Sequence, residues 1–176
     1  RAAPSSCRHL DRTRYLDRTR LAARAKGREF LLLADLNIAH TQLDVAAWRR
    51  NQMSDGFLPE EREWFGALLN PRTLRDVVRD LHPDEPGPYS WWSWLGTTYQ
   101  RDAGWRIDHH LATPKLAHTA RTVRMDKEID GVRLSDHAAV VVDYTCPVTH
   151  LGEGDAGHGD GGDDRDGAST RPAETC

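Results

Sequence analysis

The clearest apolar run in the chain is Phe30-Leu31-Leu32-Leu33-Ala34, closed in by Arg28 and Glu29 on one side and Asp35 on the other. So short a run with charge at both ends predicts a strand buried on both faces rather than a helix. Ahead of it, Leu16 to Lys26 is rich in Ala, Leu and Arg and is followed by Gly27, which predicts a surface helix stopped at the glycine. Residues 59–69 place Trp64, Phe65, Leu68 and Leu69 on one helical face. The opening Pro59-Glu60-Glu61 suits a first helical turn, where proline costs no hydrogen bond and acids face the helix dipole. Residues 73–81 predict a second short helix or helical turn, and the three prolines in 82–88 predict a loop. Strands are expected at 89–94, 107–112 and 138–144, the last carrying the β-branched Val140-Val141-Val142. Helices interleaved with buried strands predict an α/β fold.

A chain of 176 residues, 38% hydrophobic and 29% charged, suits one soluble globular domain. No stretch approaches the ~20 apolar residues of a membrane span, and no apolar run follows the Arg-rich start as a secretory signal requires. Cys7, Cys146 and Cys176 are far apart and lack zinc-ligand spacing, so a reduced, cytoplasmic setting is expected. Charge is unevenly spread. Residues 1–28 hold nine Lys/Arg against Asp11 and Asp17, residues 29–149 hold 13 bases against 18 acids, and residues 150–176 hold Arg165 and Arg171 against seven acids. An acidic middle is what carboxylates gathered round a divalent metal would produce. The Gly- and Asp-rich stretch 150–176 cannot bury enough apolar surface to offset its ordering entropy and is expected to be a disordered tail, His158 included. Residues 1–12 are read as an irregular basic segment.

Three groups of residues carry chemistry. Asp35 and Asn37 follow the first apolar run two positions apart, so in an extended chain they face one point at the end of a strand. A carboxylate and an amide there suit a hard cation and a phosphate oxygen; the same pair also suits a plain turn whose side chain bonds the backbone. Asp108 enters another predicted strand, and Asp136-His137 precedes the Val140 strand. A histidine beside carboxylates is held basic and can handle a proton near neutral pH. His109 and His110 are expected to be one buried and one exposed strand residue rather than metal ligands. The third group is aromatic: Trp91, Trp92, Trp94 and Trp105 lie within fifteen residues of each other. They suit either a core cluster or a wall for an unstacked base or bare sugar.

In order, these segments resemble the motifs of exonuclease III-like apurinic/apyrimidinic endonucleases over residues 13–145. Phe30 to His40 is similar to that family's strand and Gly-Asp-x-Asn motif, with Ala34 in place of the glycine. Gly56 to Arg62 resembles its Pro-Glu-Glu-Arg helix start, Tyr89-Ser90-Trp91-Trp92 its Ser-Trp segment, Gly104 to Asp108 its Gly-x-Arg-Ile-Asp motif, and Ser135 to Ala138 its Ser-Asp-His motif. The resemblance implies the C-terminal half (13–149) of a four-layer α/β/β/α sandwich of the endonuclease/exonuclease/phosphatase type. It also implies a monomeric DNA-repair phosphodiesterase acting on double-stranded DNA with abasic sites or 3′ ends, using Mg²⁺ or Mn²⁺ and water. By resemblance Asp35 activates water or protonates the leaving oxygen, Asn37 places the phosphate, Asp108 orients His137, and His137 contacts phosphate or moves a proton. Metal binding falls to Asp35, Asn37, Asp136 and His137, and Trp91 and Trp105 line the abasic-sugar pocket.

The family's N-terminal half supplies an asparagine, a metal-binding glutamate and a phosphate-contacting tyrosine. Nothing in residues 1–28 resembles those motifs; neither Glu29 nor Tyr15 substitutes. The resemblance therefore implies a partial domain with an exposed sheet face, poor solubility and weak cleavage. Two alternatives stay open: a non-catalytic nucleic-acid-binding remnant, and a phosphoesterase of the same superfamily acting on a phosphoinositide, a sphingolipid or undamaged DNA.

Overall fold

The computed structural model describes residues 5–145, with side chains from residue 11 onward; the tail expected over 150–176 lies outside them. Helix α1 (Ser5–Ala25) leads to strand β1 (Leu31–Asp35) and helix α2 (Pro59–Leu68). The two-residue strand β2 (Arg75–Asp76) runs straight into helix α3 (Val77–Leu81). Strand β3 (Asp108–Ala112), the single turn α4 (Pro114–Ala117), and strands β4 (Ala120–Asp126) and β5 (Ala139–Tyr144) complete the order. Helix α1 starts well before the helix expected at 16–26, so the stretch 1–12, read as irregular, is helical from Ser5. Among the described residues no helix is long and apolar enough to cross a membrane.

The strands form two antiparallel sheets, one in the order β1-β3-β2 and one a hairpin of β4 and β5. Because side chains alternate along a strand, β1 and β3 bury two different sets. Leu32 and Leu111 face α2 and pack with Ile38, Phe65 and Leu74. Leu31 and Ala112 face the other way and meet Ala120, Val142 and Tyr144 of the hairpin. Helix α2 and the hairpin thus sandwich the three-stranded sheet. Its start is held by Glu61, whose carboxylate accepts the backbone N–H groups of Gly56 (2.7 Å) and Leu58 (3.1 Å). Those amides sit before the first helical turn and have no partner within the helix.

Three expectations change. Strand β1 is not buried on both faces: among the described residues it pairs only with β3, and Leu33 is 59% exposed. The stretch 89–94 is not a strand. Trp91 makes isolated bridges to Trp105 and to His137, and Trp92 N–H donates to Asp136 O, so the segment shares its bonds between two neighbours instead of one ladder. His109 and His110 are both buried, because β3 is the middle strand and covered on each side. His109 Nε2 bonds Ile38 O at 2.8 Å, and His110 Nε2 bonds Val140 O at 3.1 Å. Strand β4 occupies a stretch with no predicted element; only Val123-Arg124-Met125-Asp126 of it alternates apolar with charged residues, too short a signal beside Arg121 and Thr122.

A buried ion network joins the loops that carry the site. Arg106 is fully buried and donates through Nε to Asp44 (2.7 Å) and through Nη1 and Nη2 to Asp76 (3.0 and 2.8 Å). Arg79 adds bonds to Asp44 and to Gly87 O. Burial alone would push both carboxyls up. The guanidinium of Arg106 outweighs it, with help from Arg79 at Asp44 and His109 at Asp76, and holds both well below the usual carboxylate range.

Candidate active site

The antiparallel register sets Asp35 directly opposite Asp108, at the end of β1 and the start of β3. Opposed residues of an antiparallel pair share a face, so the two carboxylates point the same way. His137, just before β5, brings Nδ1 to 2.9 Å from Asp108 Oδ2. One ligand atom from each of Asp35, Asp108 and His137 lies within 4.8 Å of the other two. An ionised carboxylate only accepts, so Nδ1 of His137 is the donor to Asp108 and Nε2 is the ring nitrogen turned away from that bond.

Asn37 completes the corner at a positive φ of 55°, a conformation asparagine tolerates better than most residues. Its backbone N–H donates to Asp35 Oδ1 (2.8 Å) and its amide to Asp35 Oδ2 (3.1 Å). The plain turn and the paired site residues are therefore one arrangement: the turn is what holds Asn37 against Asp35.

Ser90, absent from the residues singled out for chemistry, ties the corner together. It is fully buried, its Oγ accepts the N–H groups of Ile107 (3.2 Å) and Asp108 (3.1 Å), and its carbonyl accepts Ala138 N–H (2.7 Å). The signal in the sequence was its place ahead of Trp91-Trp92, where a small hydroxyl precedes two bulky rings. Arg106 was likewise legible only as part of a motif, with its buried role hidden.

Asp136 lies beside the cluster rather than in it. Its Oδ2 accepts the Trp91 indole N–H at 3.1 Å, and that bond is the first cause holding its carboxyl below the ordinary range. Trp91 and Trp105, edge to face with ring centroids 6.4 Å apart, line an open pocket of about 270 Å³ together with Asn37, Ser54, Gly56 and Ile107. Gly56 has φ 86°, and a Cβ there would come within 2.8 Å of Asn37 O, so the close approach of this loop to the site corner requires glycine. Trp92 is 1% exposed and belongs to the core.

The family model for the endonuclease/exonuclease/phosphatase family matches residues 1–137. The chain belongs to this family. An exodeoxyribonuclease of Bacillus subtilis is 33% identical over 118 residues, 67% of this chain and 42% of that enzyme. A DNA-(apurinic or apyrimidinic site) endonuclease of Dictyostelium discoideum is 34% identical over 111 residues, 62% of this chain and 30% of its own length. Among solved structures, the 3′ phosphatase from Neisseria bound to product DNA hairpin superposes with a TM-score of 0.61 at 33% identity, over 67% of this chain and 46% of that one. The chain thus spans less than half the length of these relatives, and the cluster and pocket above lie within the stretch the family model covers, His137 at its final residue.

Proposed function

We propose that this family member carries part of the active site of a DNA phosphodiesterase of the exodeoxyribonuclease III and apurinic/apyrimidinic endonuclease type, acting on duplex DNA at abasic sites or 3′ ends. The observation that carries the reading is the meeting of Asp35, Asp108 and His137 beside a tryptophan-lined pocket to which Asn37 also belongs. Two carboxylates, one of them exposed, suit a hard divalent cation that keeps several of its waters, so Asp35 and Asp108 are the residues of this chain that would hold Mg²⁺ or Mn²⁺. When bound, such an ion supplies stabilisation of charge on the phosphoryl group.

The chain's own residues then divide the work. Asp35, held by two bonds from Asn37, faces solvent and is placed to accept a proton from water or return one to the leaving oxygen. Asp108 fixes the tautomer of His137, which presents Nε2 to a phosphate oxygen or a proton. The pocket accommodates a sugar without a base, since unstacking costs least where no base has to leave the helix.

The direct test uses the chain in stoichiometric excess over a duplex with one tetrahydrofuran site, in Mg²⁺, because residues 1–28 hold no match to the family's metal glutamate and turnover is expected to be slow. Nicking at the site that vanishes in Asp35→Ala supports the reading. Mn²⁺ should also broaden the amide resonances of Leu36, Asn37, Asp108 and His137 first. Nicking indifferent to Asp35, or broadening centred elsewhere, overturns it. The second reading, nucleic-acid binding without cleavage, draws on α1, which exposes Arg12, Arg14, Arg18 and Arg24. It predicts salt-sensitive binding with no nicking.

A further inference from the structure

Arg133 belongs neither to the carboxylate–histidine cluster nor to the pocket, yet it touches both segments that build them. Its Nε donates to Ser135 O (2.9 Å) and its Nη2 to Trp92 O. The same guanidinium lies 4.0 Å from the ring centre of Trp94 and 4.3 Å from that of Tyr99. Ser135 opens the Ser135-Asp136-His137 stretch, and Trp92 follows the pocket residue Trp91.

We infer that Arg133 is a positioning residue of the site: it ties the 91–99 segment to residues 135–137 and so sets Trp91 against Asp136 and His137 against Asp108. The backbone joins the same segments at few points, and Arg133 adds side-chain ties beside them. Trp91 meets Trp105 and His137 only through isolated bridges, with Trp92 N–H to Asp136 O and Ala138 N–H to Ser90 O alongside. The neighbouring acids are engaged elsewhere, Glu128 by the Tyr99 hydroxyl and Asp102 by Lys127 and the Trp92 indole. The charge of Arg133 therefore strengthens two carbonyl contacts rather than an ion pair.

Local geometry aims the side chain. Asp130 and Gly131 both have positive φ (52° and 75°), forming a tight reversal in which Ile129 and Val132 exchange backbone bonds. Arg133 leaves this turn directly. Only arginine has the rigid fork to reach two carbonyls on different segments while its flat face lies against aromatic rings; lysine offers a point charge without a plane.

The consequence for DNA rests on the reading proposed above, whereas the geometry does not. The test compares wild type, Arg133→Lys, Arg133→Ala and Arg124→Ala, the last removing the same charge from an exposed pair with Asp126 on β4. The indole N–H of Trp91, bonded to Asp136, is followed by NMR, and that of Trp64, bonded to Thr13 of α1, serves as the internal reference. Arg133→Ala should shift the Trp91 indole resonance and speed its solvent exchange roughly tenfold, the size expected for losing about one hydrogen bond's worth of restraint. Trp64 should not change, Arg133→Lys should fall between, and Arg124→Ala should match wild type. Exchange at Trp91 and Trp64 rising together, or no change at Trp91, would overturn the assignment. Should Arg133→Ala fail to fold, the Lys variant decides by the same comparison. In parallel, anisotropy of a duplex with one tetrahydrofuran site should show several-fold weaker binding in Arg133→Ala. Absence of binding by wild type would count against the DNA reading alone, and the indole signature would still decide the role of Arg133.

Discussion

Asp108 has two neighbours that matter, Asp35 across the sheet and His137 at 2.9 Å, and it serves each with the same charge. Asp108→Asn keeps the shape but turns an acceptor into a group that can donate to Nδ1, which favours the wrong tautomer of His137. Single-turnover nicking of abasic DNA should fall about a hundredfold or more, the range of a lost acid–base group, with thermal unfolding little changed. A variant as active as wild type would remove His137 from the chemistry. Trp105 is a harder case because it serves two masters. It lines the pocket, and it also packs edge to face on Phe57 with centroids 6.2 Å apart. Trp105→Ala should lower action on an abasic site by roughly one to two orders of magnitude, from ~1–3 kcal/mol of aromatic contact at 1.36 kcal/mol per tenfold. Rates on abasic and intact duplexes give the check: an equal loss on both, or simple unfolding, would leave Trp105 a core residue only.

At the scale of elements, the site depends on loops pinned by charge. Arg106 reaches Asp44 in the loop after β1 and Asp76 at the start of α3, and it lies two residues from Asp108. Arg106→Met would take the guanidinium from buried Asp76 and leave buried Asp44 to Arg79 alone, and should cost about 3–5 kcal/mol, measured by urea unfolding. A loss under about 1 kcal/mol would mean that water reaches Asp44 and Asp76 once the arginine is gone. The pH dependence has a different source. Burial between α2 and the ion network lowers the pKa of His40 from its ordinary 6.5, against the pull of Asp44 and Asp76. The unfolded chain then binds that proton more readily than the folded one, so the stabilisation is complete above pH 6.5 and is lost as pH falls through the lowered value. The melting temperature should be lower at pH 5.5 than at pH 7.5, and His40→Gln should reduce that slope, with His110, also lowered by burial, supplying a remainder. The carboxyls of Asp44 and Asp76 contribute no loss in this range, because they stay ionised well below it.

For the molecule as a whole, Leu33 at 59% exposed on β1 marks an apolar sheet face open to solvent. Leu33→Lys should change stability by no more than about 0.5 kcal/mol and raise the soluble yield, since a charge on an open edge strand discourages pairing between copies; unfolding of this variant would show that the residue is covered in solution. The chain's one-dimensional pattern already specified most elements. The Pro59-Glu60-Glu61 opening with its apolar face made α2, the Val140 run made β5, and Asp35, Asn37, Asp108 and His137 were singled out as candidates from their places at or beside expected strand ends. Tertiary structure decided the rest. No local pattern says that β1 pairs with β3 so that Asp35 faces Asp108, because register is set by which faces find cover across 72 intervening positions. Nor does it say that two adjacent histidines are both buried, that Asp136 turns to Trp91, or that Ser90, Arg106 and Arg133 clasp the loops from outside the cluster. Periodicity reports how one segment divides between water and core; it carries no information on which polar atoms from distant segments meet. Those partners are chosen only when the packed chain leaves each buried donor and acceptor a single place to go.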